Sequence, residues 1–164
     1  MNKKTKTYKA IEPLVDVILD KTMLCIDPST GSQSSMPGFA LFEKGIKVES
    51  GIIEVDHKLN KSLRLYEISR CIREDFKDID LLVVEYIPPV GYKGGMNSIS
   101  LMALQRSIGA IVASLPFENL LEIPAASWKA YKPEEYEKTD EWDSICLGLC
   151  AIAIATYVKV EGKK

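Results

Sequence analysis

The chain is 164 residues long, 46% hydrophobic and 27% charged, with a formal net charge of −2 and a single histidine. This length supports one domain with a real core, and no apolar run reaches the roughly 18–20 residues that span a bilayer. The charge excludes nucleic-acid binding driven by a bulk basic excess. It leaves open a local basic face beside an acidic site, because such a site pulls the sum down.

Residues 1–20 read as an extension, partly flexible, ahead of a domain spanning 21–160. The extension opens on a basic stretch (Lys3, Lys4, Lys6) with no signal-peptide apolar core behind it. Its apolar positions Ile11, Leu14, Val15, Val17, Ile18 and Leu19 leave strand or helix open. Strand one, 23–28, is apolar from Met23 to Ile26 and then reaches Asp27. A strand apolar at every position is buried on both faces. A turn-rich loop over 31–38 leads to strand two at 39–42, a hairpin turn at Glu43-Lys44-Gly45, and strand three at 46–55 with Gly51 as the expected bulge.

A helix capped by Asn60 or Ser62 runs to about residue 76. It turns Leu65, Ile68, Ile72 and Phe76 inward and Arg64, Glu67, Arg70, Arg73 and Glu74 to water. Strand four, 80–85, repeats the plan of strand one, with Leu81-Leu82-Val83-Val84 running into Glu85. A loop rich in Pro and Gly precedes a second helix over 98–115. Strand five, 120–123, stops at Pro124, and Ser127 is the expected cap of a short turn. The last helix starts near Asp140 and is nearly all apolar to Val158, hence buried. The order β-β-β-α-β-α-β-α predicts an α/β fold. An antiparallel meander forms one edge, and strands four and five lie parallel to strand one through right-handed crossovers.

Parallel neighbours bring the carboxyl ends of strands one and four together, about 4.8 Å apart. Asp27 and Glu85 then come within reach of one shared cation. Two buried carboxylates repel, and one takes up a proton unless a metal neutralises them. Asp140 and Asp143 are i and i+3 at a helix start, so they point to one side. They could be a plain cap and a solvated first-turn acid, but Asp143 leads straight into the apolar run from Ile145. Four such acids suit two divalent ions, magnesium or manganese, and phosphodiester hydrolysis by in-line displacement. No Walker-type loop or Gly-x-Ser-x-Gly stretch is present. Cys25, Cys71, Cys146 and Cys150 sit in apolar segments without zinc spacing, as small core residues of a reduced, cytoplasmic setting (a host's cytoplasm if the chain is viral). His57, in a polar stretch, reads as a solvated loop residue.

Four pieces in order carry a resemblance: Ile26-Asp27-Pro28-Ser29; Val84-Glu85; Glu122-Ile123-Pro124-Ala125-Ala126-Ser127-Trp128-Lys129; and Asp140-x-x-Asp143-Ser144-Ile145. Over about residues 22–158 the chain resembles a RuvC-type Holliday junction resolvase of the RNase H-like superfamily, of the phage type. The resemblance implies a five-stranded mixed sheet and a homodimer with the second helix at its interface. It implies paired nicking of four-way junctions, with Asp27, Glu85, Asp140 and Asp143 as catalytic acids holding two Mg2+ ions. It also implies that Lys129 lies near the scissile phosphate; the basic helix that grips DNA in typical members is missing, and Lys132, with Lys138, is what remains there as a further DNA contact. An aromatic on the loop after Glu85 would stack on opened bases, for which Tyr92 beside Lys93 is the candidate and Tyr86 reads as structural. The chain departs from the pattern in three places. Ile108 stands before Gly109 where an Arg is usual, the loop after Asp27 is long, and the stretch from Lys129 to Asp140 is short.

Other readings stay open: an RNase H-like nuclease for flaps or RNA-containing substrates, or an inactive nucleic-acid-binding scaffold. Asp27-Pro28-Ser29-Thr30-Gly31 also resembles the first phosphate loop of sugar kinases and actin, but that fold needs two such domains.

Overall fold

The computed structural model describes residues 5–28, 36–86 and 98–161. Its centre is a five-stranded sheet in the order β3-β2-β1-β4-β5, formed by β1 (Thr22–Asp27), β2 (Gly38–Glu43), β3 (Ile46–Ile52), β4 (Leu81–Tyr86) and β5 (Asn119–Pro124). β1 is antiparallel to β2 and parallel to β4, and β4 is parallel to β5. Lys44 and Gly45 both take positive φ in the β2–β3 turn, the geometry that matches the strands' own twist.

Successive residues of a strand face opposite sides, and the two helical layers read that alternation. Met23, Cys25, Leu81 and Val83 pack with α6 (Asp140–Glu161). Leu24, Ile26, Leu82 and Val84 pack with α3 (Lys61–Asp75) and α4 (Ser98–Ser114). α6 has the length and mean hydropathy (1.6) of a membrane span. Here it is the core helix of one layer, with Cys146, Leu147, Cys150 and Ala151 fully buried. Gly148 makes that possible: a Cβ there would come within 2.1 Å of the Phe42 ring.

Several local expectations are corrected. Within 1–20, Lys6–Ile11 and Val15–Asp20 are helices, α1 and α2, joined by a single 3-10 turn. Tyr8, Ile11 and Ile18 enter the same core as α6. The strand irregularity is not at Gly51, which pairs with Phe39, but at Val48, where the register skips from Glu49 to Lys47. Ile46, Val48 and Ile52 lie exposed on this edge strand. Arg64 does not face water: it is buried, and its Nη2 donates to the carbonyls of His57 and Leu59, 3.0 and 3.1 Å away. Asn60 is the cap of α3, accepting from the Leu63 N–H at 3.0 Å. Ser127 caps nothing; Pro124 precedes the short helix α5 (Ala125–Trp128), and Ser127 Oγ instead meets Thr7 Oγ1 at 2.7 Å.

Candidate active site

Parity along the strands builds the site. Asp27 follows Met23 and Cys25 on the α6 side of β1, and Glu85 follows Leu81 and Val83 on the same side of β4. Ile26 pairs with Val84, so the two acids stand one step beyond that pair, on neighbouring strands. α6 then brings the other two. Its first turn is capped by Thr139, whose Oγ1 accepts from the Trp142 N–H at 3.2 Å and whose carbonyl accepts from the Asp143 N–H at 3.0 Å. Acids suit this turn because the helix dipole is positive there.

Two contacts hold the start of α6 against the sheet. Ser50 Oγ, on β3, lies 2.8 Å from Glu141 Oε1. Gly38, which pairs with Asp27 across β1–β2, lies under Asp140 so closely that a Cβ would meet the Asp140 carbonyl at 1.9 Å. Only glycine lets the helix start reach the end of β1.

Asp27 is 7% exposed. Burial, and then the negative charges of Glu85, Asp143 and Asp140, push its carboxyl well above the usual carboxylate range. It shares a hydrogen bond with Glu85, which raises it further. Glu85 is also raised by burial, but Lys129 and the bond from Asp27 pull it back. The Trp128 indole N–H acts in the same direction on Glu85, yet it is buried without standard hydrogen-bond geometry to any described group.

Lys129 and Lys132 lie over the Trp128 ring, 5.2 and 5.7 Å from its centre. Lys132 also sits 3.6 Å above the ring of Tyr136, whose hydroxyl donates to Asp143 Oδ1 at 2.6 Å. Tyr136 was not anticipated. Its one visible signal is an aromatic inside the otherwise polar stretch 132–139. Tyr92 and Lys93 lie outside the described residues.

The donor set fits divalent cations in kind: four carboxylates supply hard oxygen ligands, and the positive charge among them is small. A cation among the acids would answer the negative charges that help to raise Asp27. As the side chains stand, no three acid, thiol or imidazole groups among the described residues converge on one point. A groove lined by Met36, Ile52, Lys138 and Thr139 borders one of the acids, Asp140.

The comparisons with known proteins bear on the fold. RuvC of Thermus thermophilus in complex with a Holliday junction substrate is similar at a TM-score of 0.63 and 10% identity, over 84% of this chain and 95% of that one. A further T. thermophilus RuvC structure gives 0.52 and 11%, over 87% and 96%. The yeast mitochondrial Holliday junction resolvase Ydc2 gives 0.57 and 11%, over 95% and 94%. No family model and no curated protein sequence matches the chain.

Proposed function

We propose that this chain, which has the RNase H-like fold of RuvC, is a metal-dependent endonuclease that cuts branched DNA, four-way junctions above all. The observation that carries the reading is Asp27, buried at the carboxyl end of β1 and surrounded by Glu85, Asp140 and Asp143. A carboxylate placed only for structure is given donors; this one is given other acids. The similarity to two resolvases, one of them bound to a junction, supports DNA as the substrate.

Asp27, Glu85, Asp140 and Asp143 would hold two Mg2+ ions, with Mn2+ as a substitute. When bound, these would lower the pKa of a water and balance charge on the departing 3′ oxygen. The chain's own groups do the rest. Asp27 and Glu85, one step beyond the Ile26–Val84 pair on neighbouring strands, would both serve as ligands. Tyr136 holds one oxygen of Asp143 and fixes its orientation. Lys129, adjacent to Glu85, meets the phosphate, and Lys132 is held over two aromatic rings, positioned for the backbone.

Paired nicks require two sites, and a homodimer through α4 would supply them. Ile99, Met102, Arg106 and Gly109 form one exposed stripe on α4, with Ile99 73% and Met102 52% exposed. Open space at Gly109 permits close approach of a second helix.

The test is a gel assay on a synthetic four-way junction, a flap and a linear duplex, with magnesium or with EDTA. Nicking of the junction that needs magnesium and disappears in Asp27→Asn is expected. Nicks that persist in that variant sink the assignment, and flap cutting without junction cutting moves the substrate.

A further inference from the structure

Helix α1 is a feature that the acid cluster does not account for. Its Tyr8 and Ile11 face the core, which leaves Lys6, Lys9 and Ala10, at i, i+3 and i+4, on the outer side. The stretch is basic beyond its length: of the chain's 21 basic residues, Lys3, Lys4, Lys6 and Lys9 fall in the first eleven positions, with none of its 23 acids. Two other lysines are tied to carboxylates: Lys159 to Asp16 and Asp20, and Lys21 to Asp80. Lys6 and Lys9 have no carboxylate partner among the described residues.

The position of α1 gives this charge a meaning. The Thr7–Ser127 hydrogen bond seats α1 against the segment that carries Trp128 and Lys129. Lys6, Thr7 and Ala10 form one wall of a groove of about 200 Å3 whose other wall is Tyr86, Glu122 and Pro124. Tyr86 directly follows Glu85 and Pro124 ends β5, so the groove opens on the same rim of the sheet as the acids. One acid, Glu122, faces it.

We propose that α1 is a second DNA-contacting surface, on which Lys6 and Lys9 hold the phosphate backbone of a duplex arm beside the acids. This rests on the branched-DNA reading above and extends it to residues outside the acid cluster. The occupant is a polyanion because the free charge on this face is positive. It is a DNA arm because the groove opens at the carboxyl end of the sheet, the end where the reading above puts the scissile strand. Backbone contacts of this kind position a substrate and carry no sequence information.

The test is anisotropy of the full chain on a labelled four-way junction across a salt series, with calcium in place of magnesium. Lys6→Gln/Lys9→Gln is expected to weaken binding roughly 3- to 10-fold. It should also lower the slope of log affinity against log salt by about 1 to 2, the loss of one or two phosphate contacts. Glu122→Gln should shift affinity the opposite way. Lys44→Gln/Lys77→Gln, at the opposite end of the sheet, is the control and should change neither quantity. An unchanged slope in the α1 variant, or an equal loss in the control, overturns the proposal while the nicking assay stands. Wild-type protein that binds the junction without ever nicking it overturns the nuclease reading and leaves the lysine measurement valid.

Discussion

Two aspartates stand at opposite ends of the parallel strands, and the molecule treats them in opposite ways. Asp80, just ahead of β4, accepts from the Thr22 N–H at 3.0 Å and pairs with Lys21 at 3.6 Å, while its carbonyl accepts from Asn119 at 3.2 Å. It joins the starts of β1, β4 and β5. Asp27, at the far end of β1, is buried and meets Glu85, Asp140 and Asp143. One acid is a joint with its charge answered. The other is set among like charges, which together with burial raise its pKa. The difference separates a carboxylate that ties strands together from one that the sheet places among other acids.

The sharpest way to break that contrast is to neutralise each acid in turn. Asp27→Asn is expected to lower nicking by at least roughly a thousandfold, while raising the stability of the metal-free protein at neutral pH by about 1 kcal/mol or more. Asp80→Asn should do the reverse, keeping nicking and losing about 1 kcal/mol. Thermal melts alongside the gel assay read both. A loss of stability in both variants would erase the distinction.

Two glycines sharpen it next. Gly38→Ala forces a methyl into the Asp140 carbonyl and should displace the start of α6, costing about a hundredfold in nicking. Gly148→Ala meets the Phe42 ring in the core and should cost about 1–3 kcal/mol of stability, with the folded fraction still active. Equal loss of specific activity in both would show that the α6 start is not held for the site.

Proton linkage gives a third test. Asp27's pKa is raised in the folded chain, so the folded state binds its proton more tightly than the unfolded one. Its contribution is present below the ordinary value of 3.8 and is lost as pH rises through the elevated folded pKa. Metal-free melts should therefore drop over that window, and Asp27→Asn should flatten the drop. Magnesium at a hundred times its Kd should restore about 2.7 kcal/mol near neutral pH. The smallest effect belongs to Tyr136→Phe. It removes one hydrogen bond to Asp143 and should slow nicking by about 3- to 10-fold, with a loss of about 1 kcal/mol in melts.

Much of the site was legible because strand parity is a local property. Apolar runs ending in Asp27 and Glu85 announce strands buried on both faces with an acid at each tip, and the i, i+3 spacing of Asp140 and Asp143 needs only a helix. Other residues were not legible. Arg64 looked solvated because its spacing matches the polar face of α3; its burial depends on the carbonyls of His57 and Leu59, which the helix's own periodicity does not reveal. Tyr136 belongs to a stretch without periodicity. Residues 6–20 carry apolar positions that fit helix and strand alike, and only contact with α6 and β5 decided for helix.

Local pattern is enough to say where the chain turns apolar, where each run ends in an acid, and hence that a mixed sheet carries carboxylates at its rim. Those features are set by residues a few positions apart. Packing decided that Gly38 admits the start of α6, that burial and three other acids raise the Asp27 carboxyl, and that α1 is seated against the segment carrying Trp128. Those outcomes depend on groups far apart in the chain, whose distances only packing determines.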